Sequence, residues 1–386
     1  MPTRPIWAEV SLPTLIHNYH LIRDFVAPHA TVCAVVKCNA YGHGAVPCAR
    51  ALEAEGVSWF GVTSADEGIE LRQAAVTGRI LLMSGIARGE AEVAVAHNLT
   101  PAVWSAEQIS EVNSAAQKLQ RNAFPVHIEV DTGMARQGVS AAALGLLLEA
   151  ARRARSICVE GLHSHLASAE VVDADDVEVQ LAAYQRALEQ LAAAELRPAC
   201  LHLANSAAIV ARKASWHRLG PSTVLVRPGI SLYGYYLPFL TQAGQASETE
   251  EPRVKPVLAW KTRILDFRDI EPGQGVGYNL TFVATRPTRI ATLSVGYGDG
   301  LSRALSNRGQ VLIRGEFAPI VGKVSMDVTT VDVTQIPGVQ IGDEVVLIGE
   351  QNGRRITAAD VAGQTQTIAY ETLCHISQRV PRRYLP

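Results

Sequence analysis

The residue best placed to do chemistry is a lysine at the end of an apolar run, Lys37 in TVCAVVKCNAYGHG (31–44). Burying a charged ammonium among apolar side chains is costly, so a lysine there either reaches back to water or serves a purpose. Gly42 and Gly44 favour the second reading, because they permit a tight turn and close backbone approach. Other candidates are spread along the chain: Arg136 in VDTGMARQG, His163 and His165 in HSHL, Arg227 in VLVRPG and Tyr278 in GQGVGY. Taken singly each has an ordinary alternative: a strand-end arginine in a salt bridge, a satisfied core histidine, a tyrosine in a turn. Competing signatures fail. GQGVGY lacks the third glycine of a dinucleotide fingerprint, and GK at 322–323 lacks the upstream glycine of a phosphate loop. His163 and His165 are two apart on a strand, not at the helical spacing of a zinc site, and none of the six cysteines forms a CxxC pair, so no metal is expected.

Eight short β-branched runs must position these residues: TVCAVVK (31–37), WFGVTS (59–64), ILLMSG (80–85), TPAVWS (100–105), PVHIEVD (125–131), ICVEGLHSHL (157–166), CLHLANS (200–206) and VLVRPGISLYG (224–234). Between them lie segments of helical spacing such as AEQISEVNSAAQKLQ. A helix is also expected after Ser11, with Leu12, Leu15, Ile16, Tyr19, Ile22 and Val26 in one stripe. Eight alternating units favour an α/β fold with a parallel (β/α)8 TIM-type barrel over an open sheet, and barrel chemistry gathers at the C-terminal ends of the strands. The texture turns polar near 238–253. We assign the barrel to 11–240, a linker to 241–253 and a mostly β C-terminal domain to 254–386, joined by an N-terminal strand at 5–10. Strands there are expected at VLAWKTRILDF, TRIATLSV, QVLIRG, APIVGKVSM and EVVLIG, with a helix near 357–364.

The 386 residues are 48% hydrophobic, enough for a large core, and the net charge of −2 gives no basic field for nucleic acid. No apolar run is long enough to span a bilayer, and MPTRPIWAEV does not read as a secretory signal. Cys33, Cys158 and Cys200 lie in apolar runs and are expected as buried free thiols. A cytoplasmic enzyme without nucleic-acid or membrane partners is the expectation.

VVKCNAYGHG resembles the cofactor-attachment motif of alanine racemases. The resemblance continues in order through VDTGMARQG (130–138), HSHLASA (163–169), LANSAA (203–208), VRPGISLYG (226–234), GQGVGY (273–278), SVGYGDG (294–300), GKVSMD (322–327), IAYE (368–371) and ISQRVPR (376–382). It implies pyridoxal phosphate covalently anchored on Lys37, and two-base racemisation of L- and D-alanine that supplies D-alanine for peptidoglycan. Lys37 is then the base for D-alanine, and Tyr278 the base for L-alanine, contributed by the partner in a head-to-tail homodimer with two composite sites. A phenol is a reluctant base unless neighbours stabilise its anion. Arg227 is implied to face the pyridine nitrogen; arginine cannot accept a proton, so the ring remains a weaker electron sink, which disfavours transamination. His165 is implied beside the ring, linking Arg227 to Tyr278. Tyr41, Ser206, Tyr370 and the amides of Ser206, Gly229 and Ile230 are implied to hold the phosphate, with Asn205 adjacent. Arg136 would bind the phenolic oxygen and the substrate carboxylate, aided by the amide of the partner's Met326. Tyr297 is implied at the mouth and Asp327 as a structural partner of the site.

One position departs from the family. Many members carry a carbamylated lysine where this chain has Glu129, and we expect that carboxylate to supply the same charge to Arg136. The alternative readings are a solvent-directed glutamate at that position and, for the chain, a racemase of broader specificity that takes serine, a barrel decarboxylase, or a pyridoxal-phosphate carrier without turnover.

Overall fold

The computed structural model describes residues 4–217, 219 and 222–386. The chain divides into two compact units: one holds Ile16–Ala40 and Ala45–Val254, the other the residues up to Leu15, Tyr41–Gly44 and Lys255–Pro386.

Strand β1 (Ile6–Ser11) comes first and belongs to the second unit. The barrel follows as β2 (Thr31–Val35), β3 (Trp59–Val62), β4 (Arg79–Leu82), β5 (Leu99–Val103), β6 (Phe124–Glu129), β7 (Ile157–His163), β8 (Cys200–Asn205) and β9 (Thr223–Arg227). All neighbours are parallel, and β9 closes on β2 through Thr31↔Leu225 and Val32↔Val226. The eight expected strands are therefore present, but each ends earlier than its apolar run. The reason is capping. Ser64, Ser105 and Asn205 accept hydrogen bonds from Glu67, Gln108 and Ala208 and start the following helices. In VLVRPGISLYG the strand stops at Arg227, and Ile230–Tyr233 forms a 3-10 turn after Pro228. The helix expected after Ser11 spans Leu12–Val26 and buries Leu15, Tyr19, Ile22 and Val26.

In the second unit β10 (Leu258–Ile270) pairs antiparallel with β1, with Thr288–Leu293 and with Glu344–Gln351. Strand β1 also pairs parallel with Arg382–Leu385. APIVGKVSM is not one strand: the ladder ends at Pro319, Ile320 makes a single bridge to Val331, and Gly322 at φ +77 begins a turn that carries Met326. The helix Ala358–Thr365 carries a Thr357/Asp360 capping box, and a second, Ala369–Cys374, is too short to stand out by periodicity. All six cysteines are free; Cys33 and Cys200 are buried as expected, whereas Cys158 is only half-buried. Among the described residues no helix is long and apolar enough to cross a membrane.

Candidate active site

Lys37 lies two residues beyond β2, at the C-terminal mouth of the barrel. Cys38, Asn39, Ala40 and Tyr41 then all take left-handed backbone, with φ between 52 and 53°. Such a conformation costs L-residues roughly 1–2 kcal/mol each, so bonds elsewhere must hold it. Glu67 provides two, accepting from the Cys38 amide at 2.6 Å and from the Thr63 amide at 2.7 Å. Asn39 Oδ1 accepts from the Ala45 amide at 2.8 Å. The two glycines are needed for close approach as well as conformation. A Cβ on Gly42 (φ +83) would lie 2.4 Å from the Leu373 carbonyl oxygen, and one on Gly44 (φ +106) would overlap the Tyr384 hydroxyl. Lys37 is half-buried, and its ammonium is held below the usual lysine range, first by burial and then by the charges of Arg136 and Arg227, against the opposing pull of Glu67.

Arg227 ends β9 and is 5% exposed. Its Nη1 donates to His202 Nδ1 at 2.8 Å, and its Nη2 donates to the Ser164 carbonyl at 2.8 Å and to His165 Nδ1 at 3.2 Å. The guanidinium is thus locked in place by acceptors on β8 and on the chain leaving β7. His165 is pushed down to about 3 by burial, then by Arg227, Arg136 and Lys37. It is neutral, and because Nδ1 accepts, its proton sits on Nε2. Asn205 Nδ2 lies 3.5 Å from that nitrogen, while Asn205 Oδ1 caps the next helix.

Glu129 ends β6 and is 3% exposed, so it is not directed to solvent. Its Oε2 accepts from Gln137 Nε2 at 2.6 Å, and the same amide nitrogen donates to the Met83 carbonyl. His163 Nε2 is 3.9 Å away. Glu129 and Arg136 line one cleft with Gln137, Ser164 and His165. Burial raises the Glu129 carboxyl above the usual range, and the Gln137 bond and the charges of Arg227 and Arg136 only partly offset this. Gln137, eight residues beyond Glu129, therefore makes the side-chain bond to the acid, while Arg136, which is exposed, acts on it through its charge.

Ser206 follows β8. Its Oγ meets the Gly229 amide at 2.9 Å, the Ser231 amide at 3.4 Å and the Ser231 hydroxyl at 3.0 Å. Two N–H groups and two hydroxyls in so small a space suit phosphate oxygens, and this cluster together with the donor-only Arg227 fits a phosphorylated, nitrogen-bearing ring. Ile230 sits between the two amide donors. In the other unit the rings of Tyr41 and Tyr370 are 5.9 Å apart.

Tyr278, Tyr297 and Met326 lie on three adjoining turns of the second unit. A Cβ on Gly277 would lie 3.5 Å from the Lys323 amide nitrogen, and one on Gly296 would lie 2.3 Å from the Met326 carbonyl oxygen. Tyr278 is 68% exposed and Met326 54%, with Leu280, Val283, Tyr297 and Val328 also exposed. Asp327 is paired with Arg379, which also meets Oδ1 of the buried Asp299 at 2.8 Å; Arg4 meets the same oxygen at 2.8 Å and donates to the Asp327 carbonyl. Asp327 thus braces the turn that displays Met326. Sequence reasoning missed His202, Glu67, Gln137 and Ser231. Only His202 carried a signal, as a polar residue inside the apolar strand CLHLAN.

A parallel barrel with a lysine and an arginine at strand ends, joined to a β domain that displays a tyrosine, defines a two-domain barrel enzyme. Residues 10–237 match the family model "Alanine racemase, N-terminal domain" and residues 257–384 match "Alanine racemase, C-terminal domain". The chain belongs to the alanine racemase family, which are isomerases. It is 40% identical over 382 residues to the alanine racemase of Halothermothrix orenii and 41% identical over 381 residues to that of Symbiobacterium thermophilum, covering 99% of this chain and 97% of each relative. Among solved structures it is similar to the alanine racemase of Bartonella henselae with covalently bound pyridoxal phosphate (32% identity, TM-score 0.85, 99% of each chain). It is also similar to that of Bacillus anthracis with bound L-Ala-P (30% identity, TM-score 0.89, 99% of this chain and 95% of that one).

Proposed function

We propose that this chain racemises alanine with pyridoxal phosphate held on Lys37, in a head-to-tail homodimer whose two sites each take Tyr278 from the partner subunit. The observation that carries the reading is the depressed Lys37 ammonium at the barrel mouth, flanked by the charges of Arg227 and Arg136. A lysine that deprotonates readily is both a nucleophile toward a carbonyl and a base. Bound pyridoxal phosphate supplies the electron sink that makes the α-hydrogen of an amino acid acidic.

The chain's own residues do the rest. Ser206, the Gly229 amide and its neighbours at Ile230 and Ser231, with Tyr41 and Tyr370, would hold the phosphate. Arg227 offers the ring nitrogen only N–H groups, so it donates without protonating. Arg136 and the amide of the partner's Met326 would bind the substrate carboxylate, with the Glu129 charge acting on Arg136 across the cleft they share. Lys37 Nζ takes or returns the proton on one face, and Tyr278 Oη of the partner subunit does so on the other. His165, carrying its proton on Nε2, is set to donate toward that phenol oxygen. The exposed apolar turns bearing Tyr278, Tyr297 and Met326 support burial against a second copy. Tyr297 would narrow the entrance; a methyl-sized gate discriminates by only about 1–3 kcal/mol per methylene, so serine is expected as a slow substrate. A cytoplasmic supply of D-alanine for peptidoglycan is the biological use this reading implies.

The test is conversion of L-alanine, read by coupled D-amino-acid oxidation, with the reverse direction measured separately. Lys37→Ala should abolish both directions together with the protein's yellow colour. Retention of racemisation, or release of CO₂ by the wild type, would overturn the proposal.

A further inference from the structure

The bonds that lock Arg227 do not end at His202. His202 Nε2 lies 2.8 Å from His127 Nδ1, and His127 Nε2 lies 3.3 Å from Glu160 Oε2. Both rings are completely buried, and the ring of His163 stacks on His202 at 4.6 Å with a 7° tilt, which stops it turning. The local sequence builds this line. Gly161 leaves the room that His127 fills, since a Cβ there would sit 2.4 Å from His127 Nδ1. The β6–β7 register steps from Val126↔Val159 to His127↔Gly161, so Glu160 is the extra, bulged residue. A bulge of this kind re-aims a side chain. The other oxygen of Glu160 pairs with Arg79, the first residue of β4, toward the N-terminal end of the barrel.

The direction of every bond follows from its two ends. Arginine can only donate and an ionised carboxylate can only accept. His202 must therefore accept on Nδ1 and carry its proton on Nε2; His127 must then accept on Nδ1 and donate from Nε2 to Glu160. Both rings are neutral, burial being the main force holding their pKa values down. Burial works to raise the Glu160 carboxyl, but the bonds from His127 and Arg79 outweigh it and hold it below the usual range.

We propose that Glu160 is the terminal acceptor of the line of bonds that seats Arg227 and a positioning residue for the reaction, acting along the barrel axis by fixing the proton positions of His127 and His202. Its effect on catalysis rests on the place given to Arg227 above; the proton line itself does not. If Glu160 no longer accepts, His127 is free to exchange its proton between nitrogens. His202 can follow, and a proton on His202 Nδ1 would face the Arg227 N–H group and drive the guanidinium from its seat.

Two measurements on the full-length protein test this. Neutron diffraction of the unmutated protein should find deuterium on Nε2 and none on Nδ1 of both His127 and His202; a deuteron on either Nδ1 overturns the proposal. Nitrogen-15 NMR of histidine-labelled protein, with and without added pyridoxal phosphate, should show the same forms. Glu160→Ala should lose the fixed form at His127 and His202 and lower kcat/KM in both directions roughly tenfold, the worth of a hydrogen bond to a charged group. Glu160→Gln keeps a carbonyl acceptor and should restore the proton positions and most of the rate. Unchanged histidine signals in Glu160→Ala, or kcat/KM within twofold of wild type there, would refute the assignment. Either result would leave the Lys37 reading standing, because that reading is tested separately by the colour and activity of Lys37→Ala.

Discussion

If Lys37 and Tyr278 meet only across two subunits, two inactive chains can repair each other. Lys37→Ala removes the anchor and one base from its own barrel but leaves a sound Tyr278. Tyr278→Phe removes the phenol hydroxyl but leaves a sound Lys37. A mixed dimer then contains one site with both lesions and one with neither. Dimers that carry one chain of each kind hold one intact site of two, so once purified they should reach about half of wild-type specific activity. The background is low enough to see this: Lys37→Ala should be inactive, and loss of a general base costs about a hundredfold to ten-thousandfold. The surface that displays Tyr278 motivates the test, since a side chain 68% exposed on its own unit has to find its substrate against another surface. The assay is coupled oxidation of D-alanine after co-expression of the two chains with different affinity tags and purification through both. If both residues acted within one subunit, every site of a mixed dimer would carry one lesion, and activity would stay at the mean of the two parents. That result would refute the composite site.

Three further outcomes follow from the geometry. Glu129→Gln should raise stability at neutral pH. The native carboxyl titrates above its unfolded value, so its contribution is full at low pH and is lost as pH rises through the native value; the variant avoids that loss, and thermal unfolding curves of the two proteins should converge below about pH 4. The same variant should raise KM for alanine, and an unchanged KM and kcat would remove Glu129 from the substrate site. Gly161→Ala should destabilise the barrel by about 1–3 kcal/mol in urea unfolding, because its Cβ would press on His127 at 2.4 Å, whereas Gly145→Ala, with open space around it on an exposed helix position, should stabilise by about 0.5–1 kcal/mol. Glu67→Ala should cost about 1–3 kcal/mol and weaken cofactor retention on dialysis, since the backbone amides of Cys38 and Thr63, just past the adjacent strands β2 and β3, lose their shared acceptor.

The barrel was legible because parallel strands covered on both faces read as continuous apolar runs, and eight of them alternated with helical segments. Their ends were not, because the last polar residue of a run such as WFGVTS or CLHLANS serves as a helix cap, and a cap and a strand end look alike in one dimension. The turn around Met326 was misread for the opposite reason. VGKVSM has strand composition, but Gly322 takes a positive φ and packs against the Val276 carbonyl, a contact from a distant segment that composition does not encode. Lys37 was legible from cost: a lysine closing an apolar run needs a reason. Glu67, which holds the left-handed turn after it, looks in sequence like any acidic residue of a helix's first turn.

The polar interior of the barrel marks the boundary between what strand periodicity can and cannot supply. Alternation puts His127 and Glu129 on one face of β6 and Gly161 and His163 on one face of β7, so a cluster of polar groups inside the barrel follows from counting by two. Which groups touch does not follow, because the β6–β7 register slips at Val126/His127 and the β8–β9 register slips between His202 and Asn205. Without the first slip His127 would pair with Glu160 and Glu129 with Leu162, which would turn His163 to the other face; without the second, Arg227 would pair with Ala204. Both irregularities lie where a buried cation needs partners. A guanidinium enclosed by apolar strands is tolerated only if its charge is answered through hydrogen bonds, and a regular ladder offers it none, since strand N–H and C=O groups are already spent on one another. Arg227 is admitted to the end of β9 by the acceptors gathered around it, His202 Nδ1 and the carbonyls of Ser164 and Leu203, and through His202 and His127 its line of bonds reaches the bulged Glu160.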